Sequence, residues 1–143
     1  MKSAEDMVAL FRQQGLKITP QRRAIFETLA EGAVHPSAEE VYRRVQEGLP
    51  DISRMTVYNT LRELVALGEL VEVEDVSSSA MRYDTETGNH HHLFCLGCHA
   101  LVDVDQSFEA LELPQAAAAG YRIVRHQVTF YGYCPTCQKS NPR

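Results

Sequence analysis

The sequence lacks any apolar run long enough to cross a membrane, and its first residues, MKSAEDMVAL, lack the apolar core of a secretory signal. We therefore expect a cytoplasmic protein with no membrane partner. Low-complexity tracts and repeats are also missing apart from a short alanine run at 116–119, and the 44% hydrophobic content is ordinary for a folded chain. A length of 143 residues suits one domain, or two small domains stabilised by metal.

Positive charge is not in excess either. The formal net charge is -5, so the chain as a whole does not favour nucleic acid, and any DNA-binding surface must be a local patch. The sequence contains no HExxH motif, no nucleophile elbow and no obvious substrate-binding insertion. A metalloenzyme acting on an organic substrate is therefore the weaker interpretation, and we expect a protein that is not an enzyme.

Cysteine is scarce, and all four residues fall into two CxxC pairs, Cys95 with Cys98 and Cys134 with Cys137. Two such pairs brought together supply the tetrahedral thiolate shell of a structural zinc site. A pair of disulfides would require an oxidising compartment, and a redox CxxC would explain one pair but not both. We predict a four-thiolate zinc site that stabilises the C-terminal half.

Three consecutive histidines, His90, His91 and His92, precede the first CxxC pair. In a strand alternate side chains share a face, so His90 and His92 point to one side and His91 to the other. His90 and His92 are candidate ligands of a second metal, with a solvated surface as the open alternative. A last strand is predicted over 121–131, with His126 on its apolar face, where a core role competes with a ligand role.

The N-terminal half shows the start and stop signals of helices. Gly15 fits the end of a first helix, and Thr19 before Pro20 fits an N-cap followed by proline in the first helical position. Ser37 and Glu40 have the spacing of a capping box that opens a third helix. These signals, with apolar residues at helical spacing, predict three short helices before residue 50.

A fourth helix is predicted to begin after Ser53 and to end near Gly68. Its outward side carries polar and aromatic residues suited to base edges and phosphates, although a solvated face is the alternative for the helix taken alone. Two alternating strands follow, 70–74 and 80–84, joined by a serine turn. Helices followed by a hairpin predict a winged helix, with the fourth helix as the recognition helix. The candidate DNA-binding residues are Lys17, Arg22, Arg54, Thr56, Tyr58, Asn59 and Arg62.

The C-terminal half reads as a small sheet. A strand over 90–95, a turn containing the first CxxC, a strand over 100–104 and a short helix over 114–120 precede the last strand. This core is small, so we expect dimerisation through the sheet. The predicted fold class is α+β, with a winged-helix DNA-binding domain over 1–84, a hinge over 85–89 and a dimerisation and metal-binding domain over 90–143.

Five segments in this order, LKITPQRRAIFETL, HPSAEEVY, ISRMTVYNTLREL, HHHLFCLGC and YGYCPTC, resemble the ferric uptake regulator (Fur) family of metal-dependent bacterial transcription repressors. The resemblance covers nearly the whole chain. It implies a homodimer that binds a double-stranded DNA operator through N-terminal winged helices, with a C-terminal dimerisation domain. It also implies a structural zinc and a regulatory metal near the interdomain hinge.

Within the family, the chain is most similar to the peroxide-stress regulators. The resemblance implies a regulatory ligand set of His35, Asp84, His90, His92 and Asp103. Three imidazoles and two carboxylates suit Fe(II) or Mn(II) and leave one octahedral position open, whereas thiolates would favour zinc. The iron-uptake branch more often carries glutamate at the two carboxylate positions, and arginine at the position of Asn59.

The implied sensing step is oxidation of His35 or His90 by peroxide at bound Fe(II), followed by release of DNA. His91, Glu109 and His126 resemble part of a second regulatory site of some family members, although Asn89 stands where a further histidine can occur. The alternatives are an iron-, manganese- or zinc-responsive uptake regulator of the same family, a zinc-ribbon interaction module that does not bind DNA, and the metalloenzyme.

Overall fold

The computed structural model describes residues 3–32, 35–88, 90–105, 112–123 and 126–140. The fold is α+β, as predicted, and the chain divides into two compact units, Met1–Thr87 and Gly88–Arg143. The boundary between them falls inside the segment predicted as a hinge; the hinge itself remains a prediction. In the described part of the chain, no helix is long and apolar enough to cross a membrane.

The first unit contains four helices: α1 (Ala4–Gln13), α2 (Pro20–Ala30), α3 (Ala38–Gly48) and α4 (Arg54–Ala66). The predicted capping box of α3 is confirmed. The Ser37 hydroxyl accepts from the Glu40 N–H at 3.2 Å, and the Glu40 carboxylate accepts from the Ser37 N–H at 2.7 Å. Because these bonds satisfy N–H groups that the first helical turn leaves unpaired, they fix where the helix begins.

A two-stranded antiparallel hairpin follows the helices, β1 (Val71–Asp75) and β2 (Ala80–Asp84), with Val73 opposite Arg82. β1 begins one residue later than predicted. The hairpin is attached to the start of α3, since the Tyr83 N–H donates to the Pro36 carbonyl at 2.9 Å. Four helices with this hairpin form the predicted winged helix.

The core of the first unit is built from the apolar faces of its helices. Phe11 and Phe26 meet edge to face, with ring centroids 4.8 Å apart, and Leu61 and Leu64 from α4 are fully buried. Burial of large apolar side chains is the main favourable term in folding. Because one face of α4 packs into this core, the opposite face of the helix is exposed to solvent.

The second unit contains a three-stranded sheet formed by β3 (His91–Cys95), β4 (Leu101–Val104) and β5 (Thr129–Gly132), in the order β4-β3-β5. β3 pairs antiparallel with β4 and parallel with β5. Two short helices complete it, α5 (Gln115–Ala118) and α6 (Pro135–Gln138). The turn between β3 and β4 contains the first CxxC pair, as predicted.

The predicted last strand over 121–131 is wrong in extent. β5 begins only at Thr129, and residues 121–123 and 126–128 are not strand. Tyr121 and Ile123 are 78% and 51% exposed. Alternating apolar residues form a strand only where a neighbouring strand pairs with them, and β3 offers β5 a partner for just a few residues. His126 is exposed, so the apolar face predicted for it is also wrong.

One face of this sheet carries an exposed apolar row. Leu93 of β3 lies opposite Val102 of β4 and Phe130 of β5. The three side chains are 49%, 52% and 42% exposed. Adjacent exposed apolar side chains on a small sheet are typical of an interaction surface.

Candidate metal centres and nucleic-acid interface

The four cysteines of the second unit come together. Cys95 ends β3, Cys98 lies in the following turn, and Cys134 and Cys137 belong to the N-cap and body of α6. All four sulfur atoms lie within 4.8 Å of one another, and the Sγ atoms of Cys98 and Cys134 are 4.0 Å apart. A disulfide requires about 2.05 Å, and four thiolates about 2.3 Å from a shared zinc ion are separated by ~3.8 Å. The cluster therefore fits a closed zinc site.

Backbone N–H groups favour ionisation of the cysteines unequally. The Cys134 N–H donates to the Cys95 sulfur at 3.3 Å, and this bond, aided by the N–H groups of Cys98 and Gly97, lowers the pKa of Cys95 to about 6. Hydrogen bonding with the Cys134 sulfur and burial raise the pKa of Cys137 to about 12. Four adjacent thiols do not all ionise by themselves at neutral pH, so a divalent cation is the group that completes this donor set.

Gly97 is required by the close approach of the two CxxC segments. A Cβ atom at this position would lie 2.8 Å from both the Cβ and the Sγ of Cys137. Real side chains do not pack at that distance, so any other residue would displace Cys137 from the sulfur cluster. The glycine between the first two cysteines is therefore part of the cluster's construction.

In the first unit, His35 and Asp84 form a buried pair. The His35 Nε2 lies 3.0 Å from the Asp84 Oδ2, with side-chain exposures of 1% and 6%. Asp84 ends β2, and its second oxygen accepts from the Glu86 N–H at 2.8 Å. His35 has φ of 54°, in the left-handed region that non-glycine residues rarely adopt. A strained backbone that brings an imidazole to a carboxylate is typical of a functional site.

In the second unit, His90, His92 and Asp103 meet. The Asp103 Oδ1 lies 3.4 Å from the His90 Nε2 and 3.3 Å from the His92 Nε2. The two rings are 4.7 Å apart, so the expectation that these histidines share a face is confirmed. His92 is directly opposite Asp103 in the register of β3 and β4. Two paired strands and the residue just before β3 thus present three donor groups.

The outer ring nitrogens of both histidines also have neighbours in the second unit. The His90 Nδ1 lies 3.0 Å from the Gly88 carbonyl oxygen, to which an Nδ1–H would donate, leaving the Nε2 lone pair for a metal. The His92 Nδ1 lies 3.0 Å from the side-chain amide of Gln127. Sequence reasoning missed Gln127, because it is 35 residues from His92 and only the packing of the unit brings it near.

The second candidate set is partly assembled. His91 points away from His90 and His92, its Nδ1 accepts from the Val128 N–H at 3.1 Å, and its ring stacks on His126 with centroids 5.8 Å apart. Burial, together with the charges of the neighbouring histidines, lowers the pKa of His91. Glu109 lies outside the described residues.

The outer face of α4 carries most of the candidate DNA-binding residues. Arg54, Tyr58, Asn59 and Arg62 are exposed, and Thr56 is half-buried with its hydroxyl 2.8 Å from that of Ser53. The structure adds Met55 to this face, 65% exposed, which was not predicted because it is apolar. Donors, an aromatic ring and an apolar side chain on one helix face suit the edges of bases in a major groove.

Two further candidates lie outside α4. Lys17 is exposed in the segment before α2. The Arg22 guanidinium is bonded within the protein: it donates to both oxygens of Glu63, at 2.9 and 2.8 Å, and to the Lys17 carbonyl. Arg22 thereby links α2 to α4, and a contact of its own with DNA remains a prediction.

Comparisons with known proteins agree with this geometry. The Ferric uptake regulator family profile matches residues 13–131. A peroxide-responsive repressor, PerR, of Staphylococcus aureus strain Mu50 is 35% identical over 135 residues, which cover 94% of this chain and 90% of that protein. The PerR structure from Streptococcus pyogenes is 31% identical, with a TM-score of 0.56 over 96% of this chain and 95% of that one. The Helicobacter pylori Fur structure has a TM-score of 0.74 at 23% identity, covering 99% of each chain.

Proposed function

Because the chain belongs to the ferric uptake regulator family, we propose that it is a metal-dependent transcriptional repressor that senses peroxide. The observation that carries this proposal is the 35% identity with a peroxide-responsive repressor over almost the full length of both proteins. A regulator rather than an enzyme also accounts for the exposed face of α4. A cytoplasmic location follows from DNA as the partner.

The regulatory metal is proposed to be Fe(II) or Mn(II), bound by the His35–Asp84 pair of the first unit together with His90, His92 and Asp103 of the second. Neither set is complete alone, since one offers two donors and the other three, whereas these metals prefer about six oxygen and nitrogen ligands. A set of five imidazole and carboxylate donors exceeds the four ligands that zinc usually takes, which supports this choice over zinc.

Binding of one ion by residues from both units would couple the recognition helix to the dimerisation domain. An ion shifts a conformational equilibrium only by its difference in affinity for the two states. The state in which His35 and Asp84 join His90, His92 and Asp103 offers it five donors, so metal would favour that state and DNA binding with it. Loss of one ligand would release the coupling.

The sensing step is assigned to His35 or His90. Bound Fe(II) would supply the redox chemistry that activates peroxide next to an imidazole. The ring carbon of His35 or His90 gains one oxygen atom from peroxide, and the second oxygen leaves as water. The Gly88 carbonyl beside the His90 Nδ1 orients that ring toward the site. An oxidised ring would be a poorer ligand, so His35 or His90 would no longer hold the metal.

The second metal is proposed to be structural zinc at Cys95, Cys98, Cys134 and Cys137. Closed four-thiolate sites stabilise a fold and have no open position for chemistry. The second unit has a three-stranded sheet and short helices, so a metal that replaces a larger core is consistent with its size.

DNA binding is proposed for two copies acting together. Lys17, Arg22, Arg54, Thr56, Tyr58, Asn59 and Arg62 are the proposed DNA-binding residues. The exposed row of Leu93, Val102 and Phe130 supports dimerisation through the second unit. Two recognition helices on one dimer match two half-sites of a palindromic operator.

The alternative within the family is an uptake regulator that senses iron, manganese or zinc itself. Both functions need the same donor set, so they differ in the response to peroxide. A second regulatory site at His91, Glu109 and His126 stays a prediction.

The test is a DNA-binding titration with Fe(II), Mn(II) or Zn(II), before and after peroxide, followed by mass spectrometry of the peptides containing His35 and His90. A peroxide sensor loses DNA binding only in the Fe(II) sample, and one of these peptides gains one oxygen atom. Fragmentation of the peptide that contains both His90 and His99 assigns the added oxygen to a residue, with the exposed His99 as the internal control. Metal-dependent binding that survives peroxide without added oxygen would favour an uptake regulator.

A further inference from the structure

The guanidinium of Arg54, at the first position of α4, is held on two sides by α3. Its Nε and Nη2 donate to the two carboxylate oxygens of Glu39, each at 3.1 Å. Its Cζ lies 4.5 Å from the centroid of the Tyr42 ring. Glu39 and Tyr42 are three residues apart on α3 and therefore share one face of that helix. The carboxylate of Glu39 and the ring face of Tyr42 thus fix the orientation of the Arg54 guanidinium plane.

The contacts use only part of the donor capacity of Arg54. A guanidinium has five N–H donors, and Glu39 takes the Nε–H and one hydrogen of Nη2. The other edge, formed by Nη1 and Nη2, has no hydrogen-bond partner among the residues that the structure describes. Two parallel donors on such an edge match the O6 and N7 acceptors that guanine presents in the major groove.

Arg54 is positioned where this edge can reach DNA. Its side chain is 61% exposed, and that of Glu39 is 43% exposed. It lies in the first turn of the helix whose exposed face also carries Met55 and Tyr58. Residues near the N-terminus of a recognition helix are those that contact base edges in helix-turn-helix proteins.

Fold stability does not explain the Glu39–Arg54 pair. Ion pairs between solvent-exposed side chains contribute little to the free energy of folding. Their effect here is orientation, because a bidentate carboxylate and a stacked ring restrict the rotamers of a long side chain. A side chain ordered in advance loses less conformational entropy when it binds. By contrast with Arg54, the exposed Arg62 of the same helix has no ion-pair partner among the described residues.

We propose that Glu39 is a positioning residue, which together with Tyr42 orients Arg54 so that its Nη1–Nη2 edge binds a guanine of the operator. The inference rests on the proposed function and deepens it by naming a base. It assigns sequence specificity to Arg54, and to Glu39 a role exerted only through Arg54. In the alternative role, Glu39 would only neutralise the charge of Arg54 and keep it from DNA phosphates. Glu39 would then weaken DNA binding equally for every sequence.

The test uses the full-length protein loaded with Mn(II). The wild-type protein first selects duplexes from a random pool, and each guanine of the selected duplex is then replaced by 7-deazaguanine, which lacks the N7 acceptor. Wild type is expected to lose at least about fivefold in affinity at one guanine of each half-site. Arg54→Lys and Arg54→Ala should show no such loss. Glu39→Gln and Glu39→Ala should show a much smaller one.

A matched control is Glu5→Gln. It breaks an exposed pair of the same kind between α1 and α2, in which the Arg23 Nη1 lies 2.7 Å from the Glu5 Oε1 and neither residue belongs to α3 or α4. This variant should retain the full effect of 7-deazaguanine. Thermal unfolding of each variant checks that the fold is unchanged.

Five results would overturn the inference. If Arg54→Ala kept the sensitivity to 7-deazaguanine, or wild type showed none, Arg54 would not bind guanine N7. Full sensitivity in Glu39→Gln and Glu39→Ala would remove the positioning role. Tighter binding of Glu39→Gln to all duplexes with unchanged preference would show that Glu39 only withholds charge. Failure of metal-loaded wild type to select any sequence would overturn the proposed function as well, and this failure is distinguishable from the other four results.

Discussion

His92 and Asp103 face each other across the antiparallel pair β3 and β4, with the His92 Nε2 3.3 Å from the Asp103 Oδ1. His92 is fully buried, whereas the Asp103 side chain is 40% exposed. The same carboxylate oxygen also lies 3.4 Å from the His90 Nε2. Asp103 is therefore the common neighbour of both imidazoles. The arrangement of the three donor groups depends on Asp103 more than on either ring.

Replacing Asp103 with Asn tests this dependence. Asn keeps the shape of the side chain and removes the charge, so Mn(II) affinity should fall by at least about tenfold and metal-dependent DNA binding with it. Isothermal titration with Mn(II) measures the affinity, and zinc content should not change. Asp105→Asn, at an exposed neighbouring position, is the control. Equal Mn(II) affinity in both variants would exclude Asp103 as a ligand.

Replacing Cys95 or Cys137 with Ser tests the zinc assignment. Structural zinc in small domains supplies about 10–16 kcal/mol of apparent binding free energy, so loss of one thiolate should unfold the second unit or make the protein monomeric. Metal analysis and analytical ultracentrifugation report the two effects. His99→Ala, in the turn after the first CxxC pair, should retain zinc. A Ser variant that stayed dimeric with one zinc per chain would contradict the four-thiolate site.

Replacing Gly97 with Ala tests the packing of the cluster without removing a ligand. The new Cβ would meet Cys137 at 2.8 Å, and overpacking of this kind costs about 1–3 kcal/mol. A lower temperature of unfolding and faster zinc loss to a chelator are expected. Gly132→Ala is the matched control, because nothing lies within 4 Å of its Cβ position. Similar chelation rates for the two variants would show that Gly97 is not constrained by Cys137.

Replacing Arg62 with Ala tests the recognition helix. Arg62 is exposed near the middle of α4, and loss of a phosphate contact weakens binding to all sequences and reduces the salt slope by about one per contact. A dimer should therefore show a change of about two in the slope of log affinity against log salt. Fluorescence anisotropy at several salt concentrations measures it, with Arg12→Ala on α1 as the control. An unchanged slope would place the phosphate contacts elsewhere.

The helices of the first unit were predictable because their signals are local. Ser37 and Glu40 are three residues apart, and Thr19 and Pro20 are adjacent, so cap chemistry can be recognised without knowledge of the fold. Likewise, the alternation of side chains in a strand predicted over 90–95 places His90 and His92 on one side before any partner strand is known.

The features that could not be predicted depend on partners distant in sequence. The length of β5 is set by pairing with β3, Gln127 reaches His92 only in the folded unit, and Glu39 meets Arg54 because α3 packs on α4. The left-handed backbone of His35 has no local cue, since glycine is the residue that usually indicates it. The sequence therefore predicts candidate ligands, but not the contacts that orient them.

The hairpin of the first unit should respond to pH through Asp75. Burial by itself would raise the pKa of this carboxyl, but hydrogen bonds from the Ser77 hydroxyl and N–H and the charge of Arg82 lower it overall. The Arg82 Nε donates to the Asp75 Oδ2 at 2.9 Å. Because the pKa of Asp75 is lower in the folded state, the ionised carboxylate stabilises the hairpin. This stabilisation is fully present above pH ~4, the ordinary pKa of an aspartate, and is lost as the pH falls through the folded-state pKa.

Asp75→Asn should therefore reduce amide protection in β1 and β2 at neutral pH, by about 1–3 kcal/mol, because Arg82 loses its charged partner. The difference from wild type should narrow below pH ~4, where the wild-type carboxyl becomes protonated as well. Hydrogen exchange of the hairpin amides measures this locally, so that zinc release from the second unit at low pH does not interfere. Asp51→Asn, exposed before α4, should leave the hairpin unchanged at every pH. A difference that widened with acid would mean that Asp75 stabilises the hairpin in its protonated form.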